Sequence, residues 1–380
     1  FKGYTGASNG AIETRDGLVL FDTGSFLLSA HVYAAAREFS SAPLHTAVYT
    51  HGHVDHVFGV ERFDADAART GAPRPRVIAN EAVPARFDRY QLTRGYNGCI
   101  NRRQFRADFE FPTEFRYPDE TFRGHREITV GDHLIELNAA RGETDDHTWA
   151  WIPSLRTVIT GDLFIWASPN AGNPQKVQRY PREWAQALRS MLRCEPEVLL
   201  PGHGLPIVGA ERVRRALDET ATFLETLVEQ VLAKMNAGDT LDQILHSVRV
   251  PEALLARPYL RPVYDEPEFI VRNIWRLYGG WHDGDPSHLK PSPASRLGRE
   301  IAALAGGADR LAERALVLAD EGDLRLASHL VEFAAQAAPR DRGVWKARAR
   351  VYAARAKEES SLMARGIFED AASQDGPRRR

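Results

Sequence analysis

The sequence His51-Gly52-His53-Val54-Asp55-His56 places four side chains that can bind metals within six residues. Imidazole and carboxylate are the ligands that zinc takes when one coordination position must stay open for chemistry. Residues 46–50, Thr-Ala-Val-Tyr-Thr, have a composition typical of a β-strand, so we expect the ligands on a tight loop at its end. On such a loop His51 and His53 can face one pocket, and Asp55 and His56 a second. The spacing therefore predicts a metal site.

Residues 50–56 resemble the H-x-H-x-D-H signature of the metallo-β-lactamase superfamily of hydrolases. The resemblance covers roughly residues 4–210 and implies an α/β fold, an αββα sandwich with one or two metals at the edge between its halves. Three further landmarks occur in order after predicted strands. Asp22 matches the early structural aspartate of the family. Asp162, at the end of its predicted strand, matches the carboxylate that bridges two metals. His203 matches the last histidine ligand.

One landmark departs from the common pattern, because Glu143 stands where most members have a histidine. A glutamate there is similar to the alkyl sulfatase branch of the superfamily. That branch typically has a glutamate as the bridging ligand too, whereas this chain has Asp162. His147 and Asp146 are alternatives for the same coordination position, and Asp145 or Asp146 could instead orient a ligating histidine.

The resemblance implies two divalent metal ions as cofactors, and zinc is the expected metal. The expected ligands are His51, His53 and Glu143 for one ion, Asp55, His56 and His203 for the other, and Asp162 between them. Two such ions would lower the pKa of a water held between them, and Asp55 or Asp162 would orient the resulting hydroxide toward an ester centre. Whether a sulfate ester would break at its S–O or its C–O bond stays open.

A segment rich in Gly, Asn and Arg is the first candidate for the substrate wall. Residues 94–103 are interpreted as a loop, which could approach an anion with amides and guanidinium groups. In alkyl sulfatases a loop of similar Tyr/Gly/Asn character contacts the sulfate, which makes Tyr96 and Asn97 candidate binding residues. A turn with a solvated, Arg-rich surface is the alternative.

The second candidate for the substrate wall follows Asp162. Alkyl sulfatases have an arginine there that contacts the sulfate, and alignment places Asn173 at that position. Lys176 or Arg179 could supply the missing positive charge. The expected function is therefore hydrolysis of a small alkyl sulfate ester. The alternatives are a hydrolase of the same fold acting on phosphoesters, lactones or other carboxylic esters, and a catalytically inactive dimeric scaffold.

The second half of the chain carries a further resemblance. Residues 272–286, Arg-Asn-Ile-Trp-Arg-Leu-Tyr-Gly-Gly-Trp-His-Asp-Gly-Asp-Pro, resemble the dimerisation segment of alkyl sulfatases, and residues 319–327 resemble the helical pair that follows it. This implies a homodimer assembled through the helical half. Those sulfatases usually end in a sterol-carrier-like domain, for which this sequence has no room before residue 380.

Hydrophobic patterns divide the chain into three parts. In residues 1–210 short β-branched runs alternate with helical stretches, as expected for the catalytic sandwich. Residues 211–373 are expected to form an all-α dimerisation domain, as helix pairs resembling a tetratricopeptide repeat or as a plain helical bundle. Its first helix carries an apolar stripe that ends at Gly238. Residues 374–380 are interpreted as a basic, solvated tail.

Composition narrows the classes of partner and compartment. The net charge is −2, with acidic and basic residues interspersed, so a nucleic-acid-binding surface is not expected. Two cysteines are too few for a disulfide framework, and the sequence contains no apolar run long enough to span a bilayer. The first residue is Phe1, which leaves a removed signal peptide open. The cytoplasm is the expected compartment, with the periplasm or secretion as alternatives.

Overall fold

A computed structural model describes residues 8, 10–108 and 110–377. The chain divides into two compact units, one formed by residues 1–97 and 110–280 and the other by residues 98–109 and 281–380. The first unit contains both β-sheets, and the second is helical. The three arginines of the predicted basic tail, 378–380, lie outside the described residues.

The first sheet has five strands that follow one another in sequence order. They are β1 (Gly10–Thr14), β2 (Gly17–Phe21), β3 (Leu44–Val48), β4 (Arg76–Asn80) and β5 (Glu120–Phe122). β1 and β2 form an antiparallel hairpin, whereas β2 to β5 are all parallel. The carboxyl ends of β2 and β3 therefore lie side by side, which brings the residues after Phe21 close to the residues after Val48.

The second sheet has six strands in the order β11-β10-β9-β8-β7-β6. They are β6 (His125–Val130), β7 (His133–Ala140), β8 (His147–Ile152), β9 (Thr157–Ile165), β10 (Val198–His203) and β11 (Ile207–Val208). β9 and β10 are the parallel pair, and all other neighbours are antiparallel. The predicted end of a strand at Asp162 is wrong, because β9 continues to Ile165, with a register shift relative to β10 beside Gly161 and Pro201.

Nine α-helices of the described residues precede residue 281. They are α1 (Ser29–Phe39), α2 (Val60–Thr70), α3 (Val83–Leu92), α4 (Arg94–Phe105), α5 (Pro181–Arg193), α6 (Ala210–Ala237), α7 (Leu241–Ser247), α8 (Glu252–Leu255) and α9 (Pro267–Gly279). Among the described residues, no helix is both long and apolar enough to cross a membrane.

The two sheets pack face to face between layers of helices, which confirms the predicted αββα sandwich. In β2, Val19 and Phe21 point into the core between the sheets. Leu18 and Leu20 point the other way and pack with apolar residues of α1, α2 and α3. The outer face of the second sheet is covered by α5, α6 and α9. Strand alternation thus gives each sheet two buried faces, which explains why β2 and β9 are buried along their whole length.

Helix α6 confirms the predicted apolar stripe. Its buried residues include Val213, Leu217, Leu224, Val228 and Val231. The helix ends at Ala237, and Gly238 caps it in the left-handed region with φ of 88°. Because α6 packs in the same core as α5 and β9, residues 211–280 belong to the compact unit of the sheets. The compact units therefore divide near residue 280, and the functional domain boundary at residue 210 stays a prediction.

The second unit is built from helices after residue 280 together with residues 98–109. Its helices are α10 (Pro286–Leu289), α11 (Ala294–Ala305), α12 (Ala308–Asp320), α13 (Leu324–Ala337), α14 (Arg342–Glu358) and α15 (Leu362–Ala372). Their shared core contains many small residues, among them Ala315, Ala327 and Ala334, which lets the helix axes approach closely.

The predicted loop at residues 94–103 is wrong, because these residues lie in helix α4. Gly95 and Gly98 lower intrinsic helix propensity by about 1 kcal/mol each relative to alanine, which suggested a loop. Tertiary packing overrides that preference, since Ile100 and Gln104 are buried. A close approach in the second unit shows how tightly this helix packs, because a Cβ added to Gly366 would lie 2.0 Å from the carbonyl oxygen of Gln104.

Truncating a core residue of α6 should measure how strongly this helix stabilises the first unit. Phe223 is fully buried, so Phe223→Ala should lower the free energy of unfolding by about 3–5 kcal/mol, measured by urea titration. Glu229→Ala, at an exposed position of the same helix, is the matched control and should change it by less than about 0.5 kcal/mol. Equal effects of the two substitutions would contradict this packing.

Candidate metal centre

The histidine-rich stretch lies on a loop after β3, and Asp22 holds that loop in place. The backbone N–H and the hydroxyl of Thr50 both donate to the Asp22 carboxylate, at 2.8 Å each. His56 Nδ1 lies 2.7 Å from Oδ2 of the same carboxylate. Asp22 directly follows β2 and has a φ of 58°. Its position explains why the resemblance assigns it a structural role, since one buried carboxylate ties the ends of two strands together.

A first group of four side chains converges at the edge of the sandwich. The donor atoms of His51, His53, Glu143 and Asp162 all lie within 4.8 Å of one another. His51 Nε2 is 2.8 Å from His53 Nδ1 and 3.7 Å from Asp162 Oδ2. His53 Nδ1 is 3.7 Å from Glu143 Oε1. Two imidazoles and two carboxylates at this separation form a donor set suited to a divalent cation.

A second group lies on the other side of Asp162. It contains Asp55, His56 and His203, whose donor atoms are again within 4.8 Å of one another. His203 Nε2 is 3.3 Å from Asp55 Oδ2 and 3.5 Å from Asp162 Oδ2. His56 Nε2 is 3.3 Å from Asp162 Oδ1. The carboxylate of Asp162 therefore faces both groups, as expected of a bridging ligand.

Buried polar atoms of the site fit a cation. Among the described residues, Oε2 of Glu143 is buried without a hydrogen bond, and Nε2 of His56 is buried without a well-formed one, with the Asp162 carboxylate 3.3 Å away. Since His56 Nδ1 is already engaged with Asp22, its other nitrogen is left to present a lone pair to the site. Leaving such polar atoms buried and unpaired costs free energy, which bound metal ions would remove.

The pKa values of the site are shifted because its carboxylates and imidazoles lie close together. Burial raises the pKa of Glu143 well above its usual value, and the neighbouring charge of Asp162 adds to the effect. Burial would also raise the pKa of Asp162, but His203 and His56 outweigh it and hold that pKa well below its usual value. Burial would lower the pKa of His203, but Asp162 and Asp55 outweigh it and raise that pKa to about 10. The carboxylates are thus held in a site that needs positive charge.

The three candidates for the ligand position at residue 143 have different surroundings in the structure. His147 lies outside both groups, with Nε2 3.2 Å from the carbonyl oxygen of Thr160 and its ring stacked on His51. Asp146 is paired with buried Arg86, whose Nε donates to it at 2.6 Å. Asp146 also accepts the N–H of Gly52 at 3.1 Å, which places it behind the histidine loop. Of the three candidates, the structure brings only Glu143 into the first group.

A glycine is needed where β10 passes Asp162. A Cβ added to Gly202 would lie 2.1 Å from Asp162 Oδ1, so a larger residue would displace that carboxylate. This close approach brings the backbone before His203 directly against the bridging position. Gly202 is therefore a steric requirement of the site.

The loop after β9 lies over the first group. Arg179 is buried, donates from Nη1 to the carbonyl oxygen of Glu143, and lies 3.3 Å from Glu143 Oε1. Asn170 donates to the same carboxylate oxygen. Burial lowers the pKa of Lys176 to about 7, with the charge of Arg179 adding to the effect and those of Asp55 and Glu143 opposing it. Arg179 thus places positive charge beside the first group, and Lys176 lies within electrostatic reach of Asp55 and Glu143.

The other predicted substrate contacts have more local roles in the structure. Tyr96 is 63% exposed on α4, and Asn97 Nδ2 donates to Thr93 Oγ1 at 2.8 Å, one turn earlier in the chain. Asn173 is buried, and its side-chain oxygen accepts the N–H of Gln175 at 3.2 Å. The structure thus brings none of the three into either metal-ligand group.

Sequence reasoning missed three residues near the site. Asn170 contacts Glu143, as described above. Burial raises the pKa of Tyr264, and the charges of Glu143 and Asp55 add to the effect, so its hydroxyl lies within their electrostatic reach. Asp265 accepts backbone N–H groups of the loop after β9. No motif marks these positions, because single Asn, Tyr and Asp residues far from the ligands in sequence carry no recognisable spacing.

Several curated proteins resemble this chain over most of its length. A linear primary-alkylsulfatase from Pseudomonas sp. is 28% identical over 346 residues, covering 85% of this chain and 65% of that protein. An (R)-specific secondary-alkylsulfatase from Pseudomonas sp. is 26% identical over 364 residues, covering 87% of this chain and 54% of that protein. The chain thus spans between about half and two thirds of the length of these relatives.

A solved structure shares the fold. The stereoselective inverting sec-alkylsulfatase Pisa1 from Pseudomonas sp. superimposes with a TM-score of 0.87 at 21% identity, covering 97% of this chain and 64% of that chain.

Family profiles match both halves of the sequence. The profile described as alkyl sulfatase dimerisation matches residues 240–375. The profile of the metallo-β-lactamase superfamily matches residues 5–203, which contain every side chain of the two metal-ligand groups. With its αββα sandwich and this donor set, the chain belongs to the metallo-β-lactamase superfamily.

Proposed function

We propose that the protein hydrolyses sulfate esters of alkyl alcohols with the help of two divalent metal ions. The observation that carries the proposal is the pair of metal-ligand groups that both lie next to the Asp162 carboxylate, with Arg179 beside the first group. The named activities of the curated relatives, which are alkylsulfatases, support the substrate class.

The proposed ligand sets follow the two groups. His51, His53 and Glu143 would hold one ion, Asp55, His56 and His203 would hold the other, and Asp162 would serve both. The chemistry that such ions supply is a lowered pKa of a water ligand and polarisation of an ester oxygen. Zinc is the proposed metal, because imidazole with carboxylate is a donor set that it favours.

The chain's own side chains orient the reactants in this proposal. Asp55 and Asp162 accept hydrogen bonds from the attacking water and direct its lone pair toward the ester centre. Lys176 and Arg179 offset the negative charge of the sulfate. They take the role of the arginine that alkyl sulfatases have at the position of Asn173. Hydrolysis then yields an alcohol and hydrogen sulfate. Tyr96, Asn97 and Asn173 stay predictions as direct sulfate contacts.

Assembly as a homodimer through residues 211–373 is part of the proposal. The match of residues 240–375 to the alkyl sulfatase dimerisation family supports it. Large apolar side chains are exposed on the helical unit, among them Trp281 at 67% and Leu304 at 79%. Tryptophan is enriched at the cores of protein–protein interfaces relative to the rest of the protein surface.

Removing Glu143 should distinguish it from His147 as a ligand. Glu143→Ala should bind about one zinc ion less per chain than the wild type, measured by elemental analysis after dialysis against micromolar zinc. His147→Ala should keep the wild-type stoichiometry, because its ring contacts Thr160 and stacks on His51 outside the donor set. The opposite pattern would assign the coordination position to His147.

A panel of esters tests the substrate class. We expect turnover of short and long alkyl sulfates that exceeds turnover of the corresponding alkyl phosphates and of a lactone. Lys176→Met should raise KM for the alkyl sulfate by about tenfold or more, since a hydrogen bond to a charged group contributes about 1.5–3 kcal/mol. Lys290→Met, at an exposed position, is the matched control and should leave KM unchanged.

Two outcomes of the panel would contradict the sulfatase proposal. Hydrolysis of a phosphoester or a lactone without hydrolysis of any alkyl sulfate would move the assignment to the other hydrolases of this fold. A zinc-loaded protein that hydrolyses none of the esters would favour the inactive scaffold.

Light scattering tests the dimer. At micromolar concentration the protein should have twice the chain mass of 42.5 kDa. A dilution series combined with an activity measurement separates assembly from catalysis. A monomer that stays folded and active on dilution would contradict assembly as a requirement for function.

A further inference from the structure

The segment after β9 that carries Lys176 is hydrogen-bonded at both ends to side chains of residues 265–273. This segment, residues 172–179, is called the strap below. At its start, the Asp265 carboxylate accepts the N–H groups of Gly172 at 2.5 Å and of Asn173 at 3.0 Å. Asp265 is fully buried, so these bonds form where water cannot replace them.

The end of the strap is held by a second buried side chain, Asn273 of α9. Its Nδ2 donates to the carbonyl oxygen of Arg179 at 3.0 Å, and its Oδ1 lies 3.3 Å from the N–H of the same residue. The side chain of Gln178 donates to Asn273 Oδ1 at 2.9 Å. One amide side chain thus satisfies both backbone groups of Arg179, which fixes the direction in which its guanidinium group leaves the backbone.

The strap and the start of α9 also approach each other closely. A Cβ added to Gly172 would lie 2.5 Å from backbone atoms of Phe269 and Ile270. The first residue of the strap is therefore fixed by steric contact as well as by the hydrogen bonds to Asp265.

We propose that Asp265 and Asn273 are positioning residues of the metal centre. They hold the strap so that the Arg179 guanidinium group donates to the carbonyl oxygen of Glu143 and lies 3.3 Å from Oε1 of Glu143. Glu143 then keeps the rotamer in which its carboxylate faces His53. Neither residue belongs to the proposed ligand set, and the inference rests on the metal-binding part of the proposed function only.

The physical reason is the cost of ordering a long side chain. An arginine loses much rotamer entropy when it is fixed in one geometry, and a loosely held backbone would add to this cost. Residues that orient a metal ligand typically change metal affinity by about 10–100-fold when they are removed. An effect of this size should be confined to the ion that Glu143 binds.

The chain offers a matched control for loss of an amide clamp. Gln230 of α6 makes the same reciprocal pair of bonds to the backbone of Arg249, donating to its carbonyl oxygen at 2.7 Å and accepting its N–H at 3.2 Å. Gln230 and Arg249 belong to the same compact unit as Asn273, but they contact neither metal-ligand group. Gln230→Ala therefore reports the general effect of removing such a clamp.

The experiment measures zinc affinity by chelator competition for wild type, Asn273→Ala, Asn273→Asp, Asp265→Asn and Gln230→Ala. Asn273→Ala and Asp265→Asn should weaken one of the two ions by about 10-fold or more and change the other by less than about threefold. Asn273→Asp is nearly isosteric, so it tests the loss of the donor to Arg179 if the alanine variant does not fold. Gln230→Ala should match wild type for both ions.

A double-mutant cycle tests whether Asn273 acts through Arg179. In an Arg179→Met background, Asn273→Ala should weaken zinc binding by less than about twofold further, because the group that it positions is gone. Full additivity, unchanged affinities in folded Asn273 variants, or an equal loss in Gln230→Ala would each overturn the proposal. A wild-type protein that binds two ions and hydrolyses none of the esters would instead contradict the sulfatase activity. The comparison of zinc affinities would still test the role of Asp265 and Asn273.

Discussion

Two buried carboxylates that face one another are the constraint around which the rest of the first unit is organised. Glu143 is 2% exposed and Asp162 is 5% exposed. Burial raises the pKa of Glu143, and the charge of Asp162 raises it further. A buried charge is tolerated only when it is paired and hydrogen-bonded. Asp162 has imidazoles on both sides, and Glu143 has Arg179 and Asn170. Divalent cations would complete this balance, because they add positive charge where the acids are most crowded.

Strand direction explains how distant parts of the chain meet at this point. β2 and β3 are parallel, so Asp22 and the histidine loop leave neighbouring strand ends. β9 and β10 are parallel as well, which brings Asp162 beside His203. Since the two sheets share one core, both pairs of ends open at the same edge of the sandwich. The metal centre is thus a consequence of topology: each ligand needs only to follow, or lie in, a strand whose direction is already set.

Local patterns in the sequence were enough to predict most of this arrangement. The H-x-H-x-D-H stretch has its ligands within six residues, and its resemblance to the metallo-β-lactamase signature implied the sandwich. The spacing of apolar residues predicted the α6 stripe. Helix α4 could not, because its glycines and asparagine favour a loop and only tertiary packing reverses that preference. The strap contacts were missed for a related reason. Asp265 and Asn273 lie 92 to 95 positions from their partners, and a single polar residue at such a distance leaves no periodic signal.

The boundary between the compact units falls inside residues 240–375, which match the alkyl sulfatase dimerisation family. The two parts of this segment therefore have different surroundings. The family match begins at residue 240, but residues up to 280 belong to the unit of the two sheets. Helices α7 and α9 share a core with α5, α6 and β9, and α9 carries Asn273. Substitutions in α9 would therefore reach the metal centre through the backbone of Arg179, whereas substitutions in α11 to α15 act on a core of their own. A loss of activity caused by a change in residues 267–279 is thus no evidence for a loss of assembly, because one side chain of this helix is hydrogen-bonded to the residue that holds Glu143.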